Sequence, residues 1–151
     1  MKNRRRAAVA GASVLGALSL VGCNLDKKPT ALVTVVSGSE SQHTEAQCRG
    51  VQATQDALNA CFGAESDKKP KVVKVSEGGD IGVGVEPSVS DSGWQIFVDS
   101  QAGPLIKDKT YYTGFRVPIG AFDDTEAVAV RVVEYKSNDT QNVWLFNLEK
   151  K

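Results

Sequence analysis

From Lys71 onward the chain is a succession of short runs in which apolar residues recur at every second position, separated by turn residues. That alternation sorts the side chains of a strand onto two faces, one of which can be buried. In "IGVGVE", Ile81, Val83 and Val85 share one face and Gly82 and Gly84 the other. Glycines so placed suit the close approach of another backbone, or a bulge. "KVVKVSE", "WQIFVDS", "TYYTGFRV", "EAVAVRVVEY" and "NVWLFNL" continue the pattern, with Trp94, Ile96 and Val98, then Val128, Val130 and Val132, in register. Turns fall at "GGD", "PSVSDSG", "QAGPL" and "SNDTQ". Short alternating strands at near-regular spacing predict a β-sandwich. Labelled A, B, C, E, F and G from Lys71, with Trp94 opening C, they fit an immunoglobulin-like antiparallel β-sandwich. No cysteine lies in B or F, so the likeness is one of architecture.

The preceding segment has a different texture. "ALVTVV" predicts a strand, "SGSESQ" a turn and "HTEAQC" a second strand. In "VQATQDALNACF", Ala53, Ala57, Leu58 and Cys61 fall near helical spacing and Gly63 follows as a stop. "GAESDKKP" is a charged linker. The expected organisation is a sandwich over residues 64–151 and an N-terminal extension over 31–63, containing the short helix, that lies on or extends it.

The first residues concern address. Lys2, Arg4, Arg5 and Arg6 form a positive head, and Ala7 to Val21 carries no charge. The apolar run is shorter than the roughly 20 residues a spanning helix needs. A basic head, a short apolar region and small residues at its end describe a secretory signal peptide over residues 1–22. Its ending, Leu20-Val21-Gly22-Cys23, has the form of a bacterial lipobox. In such signals the Cys thiol takes a diacylglyceryl group and the chain is cut before it. Two acyl chains hold stably where one is marginal, at about 0.8 kcal/mol per buried methylene. Residues 23–30, with "NLDKKPT", then read as a tether. The expected location is the cell membrane, lipid-anchored and facing the extracytoplasmic side.

From Cys23 onward, 129 residues remain, enough for one domain with a real core. Four of the 18 basic residues and none of the 18 acidic ones precede Cys23, leaving 14 against 18. A nucleic-acid partner needs a positive footprint, which this balance and this address do not offer. Cys48 and Cys61 remain as a pair. Outside the cytoplasm two thiols are expected to form a disulfide, and a loop of this size contributes about 3 kcal/mol in the chain-entropy model. The competing use is a structural zinc site, which wants four ligands; Cys48, Cys61 and His43 supply three at most.

The segments "LVGC", "QC" followed by "ACF", "GVEPSVSDSGWQIFVD", "TYYTGFRVP" and "VWLFNLEKK" together resemble a family of small actinobacterial lipoproteins, seen in Streptomyces-like organisms and classed as a domain of unknown function. The resemblance covers nearly all of the chain after Cys23. It implies a lipid-anchored extracytoplasmic domain with two further cysteines, matching Cys23, Cys48 and Cys61, and it implies no activity.

Catalytic chemistry finds few footholds. His43 is the only histidine and sits in a Ser- and Thr-rich stretch with no G-x-S-x-G nearby, so a Ser-His-Asp triad lacks its context. "GGDIGVG" does not match a phosphate-binding loop. Asp123, Asp124 and Glu126 lack the ligand set calcium wants and read as a solvated turn. Two carboxylates for glycoside cleavage can be picked from any 18 acids, and no pair is marked out. The expectation is a non-catalytic interaction or structural module of the cell envelope, with no cofactor, and with the membrane and an envelope protein as partners. The alternatives are a ligand- or metal-binding lipoprotein and, remotely, an envelope hydrolase.

If strands C, F and G share a sheet, the period of two sends Phe97, Arg131, Tyr135, Val143 and Leu145 to its outer face. That set is too apolar for free solvation, so either residues 31–63 cover it or a partner does. Val33, Val35, Leu58 and Phe62 need a surface of their own, which favours cover by residues 31–63. For the anchor, Cys23→Ala is expected to abolish lipid attachment and release the protein from membranes in a high-salt wash; full retention in the membrane fraction would overturn the lipobox reading.

Overall fold

The computed structural model describes residues 30–52, 54–62, 69–99, 101–136 and 139–151. Leu20, Val21, Gly22 and Cys23 lie outside the described residues.

Among the described residues ten strands and two short helices follow in order: β1 (Leu32–Ser37), β2 (Glu40–Glu45), β3 (Cys48–Gln52), α1 (Gln55–Phe62), β4 (Lys71–Val75), β5 (Asp80–Val85), α2 (Pro87–Ser92), β6 (Trp94–Val98), β7 (Gln101–Ala102), β8 (Tyr111–Arg116), β9 (Ala127–Tyr135) and β10 (Thr140–Lys150). They form two facing sheets. One has the order β2-β1-β5-β8; the other runs β3-β10-β9-β6-β7, with β4 also on β10. Strands C, F and G of the sequence reading are thus neighbours (β6, β9, β10), and B and E pair in the opposite sheet (β5, β8), which is the division of an immunoglobulin-like sandwich.

Period-two patterning explains the core. Val33 and Val35 of β1 and Ile81, Val83 and Val85 of β5 face inward from the first sheet. Val128, Val130 and Val132 of β9, Ile96 of β6, and Trp144, Phe146 and Leu148 of β10 meet them from the second. β-Branched side chains pack well on a pleated surface and have little χ1 freedom to lose. The two buried indoles keep their N–H groups bonded: Trp94 Nε1 donates to the Lys109 carbonyl at 2.9 Å and Trp144 Nε1 to that of Ala31 at 3.0 Å. Gly82 and Gly84 face outward. A Cβ on Gly82 would collide with the Tyr111 ring, and the β5–β8 register shifts between Ile81 and Val83, so a side chain rather than a backbone makes the close approach, beside a bulge.

Of the two places expected for residues 31–63, on the sandwich or extending it, the strands take the second. β1 lies between β2 and β5, and β3 pairs with β10, so residues 32–52 supply strands to both sheets. The valines of β1 carry the same inward alternation as β5, and a pleated face of that kind is buried wherever a neighbouring strand takes it up. The sandwich is antiparallel except for β4, which runs parallel to β10 from Lys71↔Phe146 to Val75↔Lys150. No hairpin joins these two strands, so the connection does not dictate their direction. The helix begins at Gln55 rather than Val51, because residues 48–52 pair with β10 instead; "PSVSDSG", expected as a turn, winds into α2 with Pro87 in its first turn.

Val35 is fully buried. Val35→Asp is therefore expected to lower stability by more than about 3 kcal/mol in urea titration, since an uncompensated charge enters the core. An unchanged midpoint would show β1 to be an appendage.

Candidate functional site

The outer face of the second sheet carries the predicted contact residues Phe97, Arg131, Tyr135, Val143 and Leu145, and the structure splits them. Val143 and Leu145 are buried, together with Val133 and Cys61; Cys48, Phe97 and Tyr135 pack against that cluster. The cover is the Cys48–Cys61 disulfide, which ties β3 to α1 across a Cα–Cα distance of 5.9 Å. Gln47 fastens it down. Its backbone N–H donates to the Val143 carbonyl at 2.9 Å, its side-chain Nε2 to the Leu145 carbonyl at 3.2 Å, and its Oε1 accepts from the Leu145 N–H at 2.9 Å. An amide side chain thereby stands in for a strand residue at Leu145, just beyond the last β3–β10 pair, Val143↔Cys48.

Phe97, Arg131 and Tyr135 are half-buried. The Tyr135 hydroxyl donates to Gln95 Oε1 at 2.6 Å, and burial raises the phenol's pKa above its ordinary 10.0. The Arg131 guanidinium carbon sits 6.0 Å from the Phe97 ring centroid, and its Nη2 donates to the Asp99 carbonyl. Beyond Arg131 the face is open: Pro70, Asp99, Ala129, Leu145 and Asn147 help to line a groove of about 530 Å³. The missed member of this face is Val133, which strict alternation from Val132 sends outward.

A second concavity lies at the end where the chain enters the domain. It has a volume of about 800 Å³, and its wall includes Thr30, Ala31, Asp91, Glu134, Lys136 and Asn142. Thr30 and Ala31 are held there by bonds from the Ala46 N–H and the Trp144 indole. Glu134 is the unexpected residue. It follows Val128, Val130 and Val132 on the inward side of β9, so its carboxylate enters the mouth of the sandwich, with its side chain 3% exposed. Asn142 Nδ2 donates to Glu134 Oε2 at 2.6 Å, and Asn142 Oδ1 accepts from the Gly50 N–H at 2.9 Å. A charged residue at an inward register position, in "VRVVEY", was the available signal.

The other sequence candidates stay apart. His43 is exposed on the edge strand β2, opposite Thr34. Asp123, Asp124 and Glu126 are exposed in the loop before β9. Among the described residues no group of three or more His, Cys, Asp or Glu is placed to hold a metal ion.

No family model matches the chain, and no curated protein matches it. Among solved structures, a Jonesia denitrificans lytic polysaccharide monooxygenase, determined by neutron crystallography, is similar at a TM-score of 0.36 and 14% identity, over 64% of this chain and 68% of that one. At that level the similarity bears on neither the chemistry nor the ligands of this chain.

With Leu145 9% exposed beneath the disulfide layer, Leu145→Asp is expected to cost several kcal/mol in chemical denaturation, as an unpaired charge enters an apolar cluster. A soluble and equally stable variant would show that the cover lifts freely.

Proposed function

We propose that this chain is a lipid-anchored extracytoplasmic protein of the cell envelope, with a sandwich that acts as a non-catalytic interaction module close to the membrane. The observation that carries the reading is the order of the N-terminal signals: a basic head, a short apolar run, then Leu20-Val21-Gly22-Cys23. The resemblance to small actinobacterial lipoproteins supports it. So does the spacing. Nine residue steps separate Cys23 from Leu32, where β1 begins. Even fully extended, they reach about 30 Å. A domain on so short a lead stays beside the bilayer and meets what lies there.

The non-catalytic part rests on where the reactive side chains go. Cys48 and Cys61 are joined to each other, and His43 stands exposed on an edge strand opposite Thr34. The interaction part rests on the open half of the outer sheet face, where a groove beside Arg131 adjoins the covered apolar cluster. An envelope protein is the partner this position favours.

Crosslinking from the lipidated protein in intact cells tests the reading. Ala129→Glu fills the groove, and it is expected to remove specific crosslinked partners while leaving the unfolding free energy within about 0.5 kcal/mol of the parent. Retention of every partner by that variant would overturn the assignment of this face. Turnover of simple ester or glycoside substrates by the purified protein would overturn the non-catalytic reading.

A further inference from the structure

We propose that the cleft at the chain-entry end of the sandwich is a binding site for a small organic ammonium group, with Glu134 as its counter-charge. The inference stands on the cleft and is independent of the lipid anchor.

The starting point is a carboxylate where the fold calls for an apolar residue. Glu134 occupies the last inward position of β9, and its side chain is 3% exposed. A buried charge is costly unless it is paired and hydrogen-bonded. Glu134 is only partly so. Oε2 accepts from Asn142 Nδ2 at 2.6 Å, and Lys136 Nζ stands 3.8 Å from the same oxygen. That separation exceeds the roughly 2.7–2.9 Å of a charge-assisted hydrogen bond. Among the described residues none donates to Oε1, and Oε1 is not among the sealed, partnerless side-chain atoms. What remains exposed of this carboxylate therefore opens to the cleft that it lines.

The polarity of the site is set by its neighbours. Asn142 cannot turn its amide round, because Oδ1 is held by the Gly50 N–H and Nδ2 by Glu134. Asp91 adds a second carboxylate to the wall, and Ser88 and Ser92 add hydroxyls. Arg49, also on the wall, is paired with Glu45 at 2.7 Å. An ammonium brings up to three N–H donors and a positive charge, matching a carboxylate with one oxygen to which no described residue donates. A calcium ion wants six to eight oxygens, and no metal-holding cluster is found among the described residues. Lys136, with a side chain 47% exposed, shows the same preference from within the chain: the cation nearest Glu134 is already an ammonium.

The test is an NMR titration of the full chain in detergent micelles, following the side-chain amide of Asn142. Ethanolamine is the probe and ethylene glycol, of the same size without the nitrogen, is the control. Saturable shifts with ethanolamine and none with ethylene glycol are expected. Glu134→Gln should weaken binding roughly tenfold or more, the worth of one charged hydrogen bond. Lys136→Ala should tighten it, since the competing internal ammonium is gone. Bicelles of phosphatidylethanolamine and of phosphatidylglycerol separate the sources. Shifts with the first alone add a lipid headgroup to the ligands; shifts with free ethanolamine but neither bicelle assign a soluble amine. No shift with ethanolamine in either form, equal shifts with ethylene glycol, or undiminished binding by Glu134→Gln would overturn the proposal. Should Glu134→Gln fail to fold, Lys136→Ala decides: unchanged or weaker binding overturns it.

Discussion

The pairing of β9 with β10 underlies everything else in this domain. Nine residue pairs, from Gln141↔Tyr135 to Glu149↔Ala127, hold the two strands together. On the inner side they present Val128, Val130, Val132, Trp144, Phe146 and Leu148, the wall against which β1 and β5 pack. On the free edges they recruit the rest: β6 joins β9, and the long β10 accommodates β3 at its start and β4 at its end. A strand of eleven residues can serve two partners on one edge, which is how segments far apart in the chain come to share a sheet.

The two faces of this ribbon carry different consequences. The inner face is a dry layer that ends, at the chain-entry side, in Glu134 and Asn142. The outer face is apolar over Val133, Val143 and Leu145, and the disulfide of β3 and α1 seals that part. Sealing stops short of Ala129 and Asn147, so the same strand pair supplies a stabilised half-face and an open groove. The disulfide thus both restricts the unfolded chain and completes a second small core.

Much of this was legible before any coordinates. Alternation located β5, β6, β9 and β10, and parity alone sorted Phe97, Arg131, Tyr135, Val143 and Leu145 onto one outer face. The expected bond between Cys48 and Cys61 is present. What escaped had weak local signals. β2 and β3, "ESQHTE" and "CRGVQ", are polar edge strands without an alternating pattern of their own: β2 folds back on β1 in a tight hairpin, and β3 pairs with the distant β10. Glu134 stands at the end of an inward run of valines, and the period of two does not by itself tell a buried carboxylate from a strand-end residue turned to solvent.

The sequence by itself determined the two-faced strands, the sandwich class and the expectation of an anchored, exported chain, because periodicity and signal composition act over a few neighbouring residues. Tertiary structure alone decided that residues 32–52 build both sheets, that β4 runs parallel to β10, and that one carboxylate closes the core beside an open cleft. Those outcomes depend on which edges remain free once β9 and β10 have paired. That competition is between segments as far apart in the chain as Cys48 and Val143, and no local pattern records it.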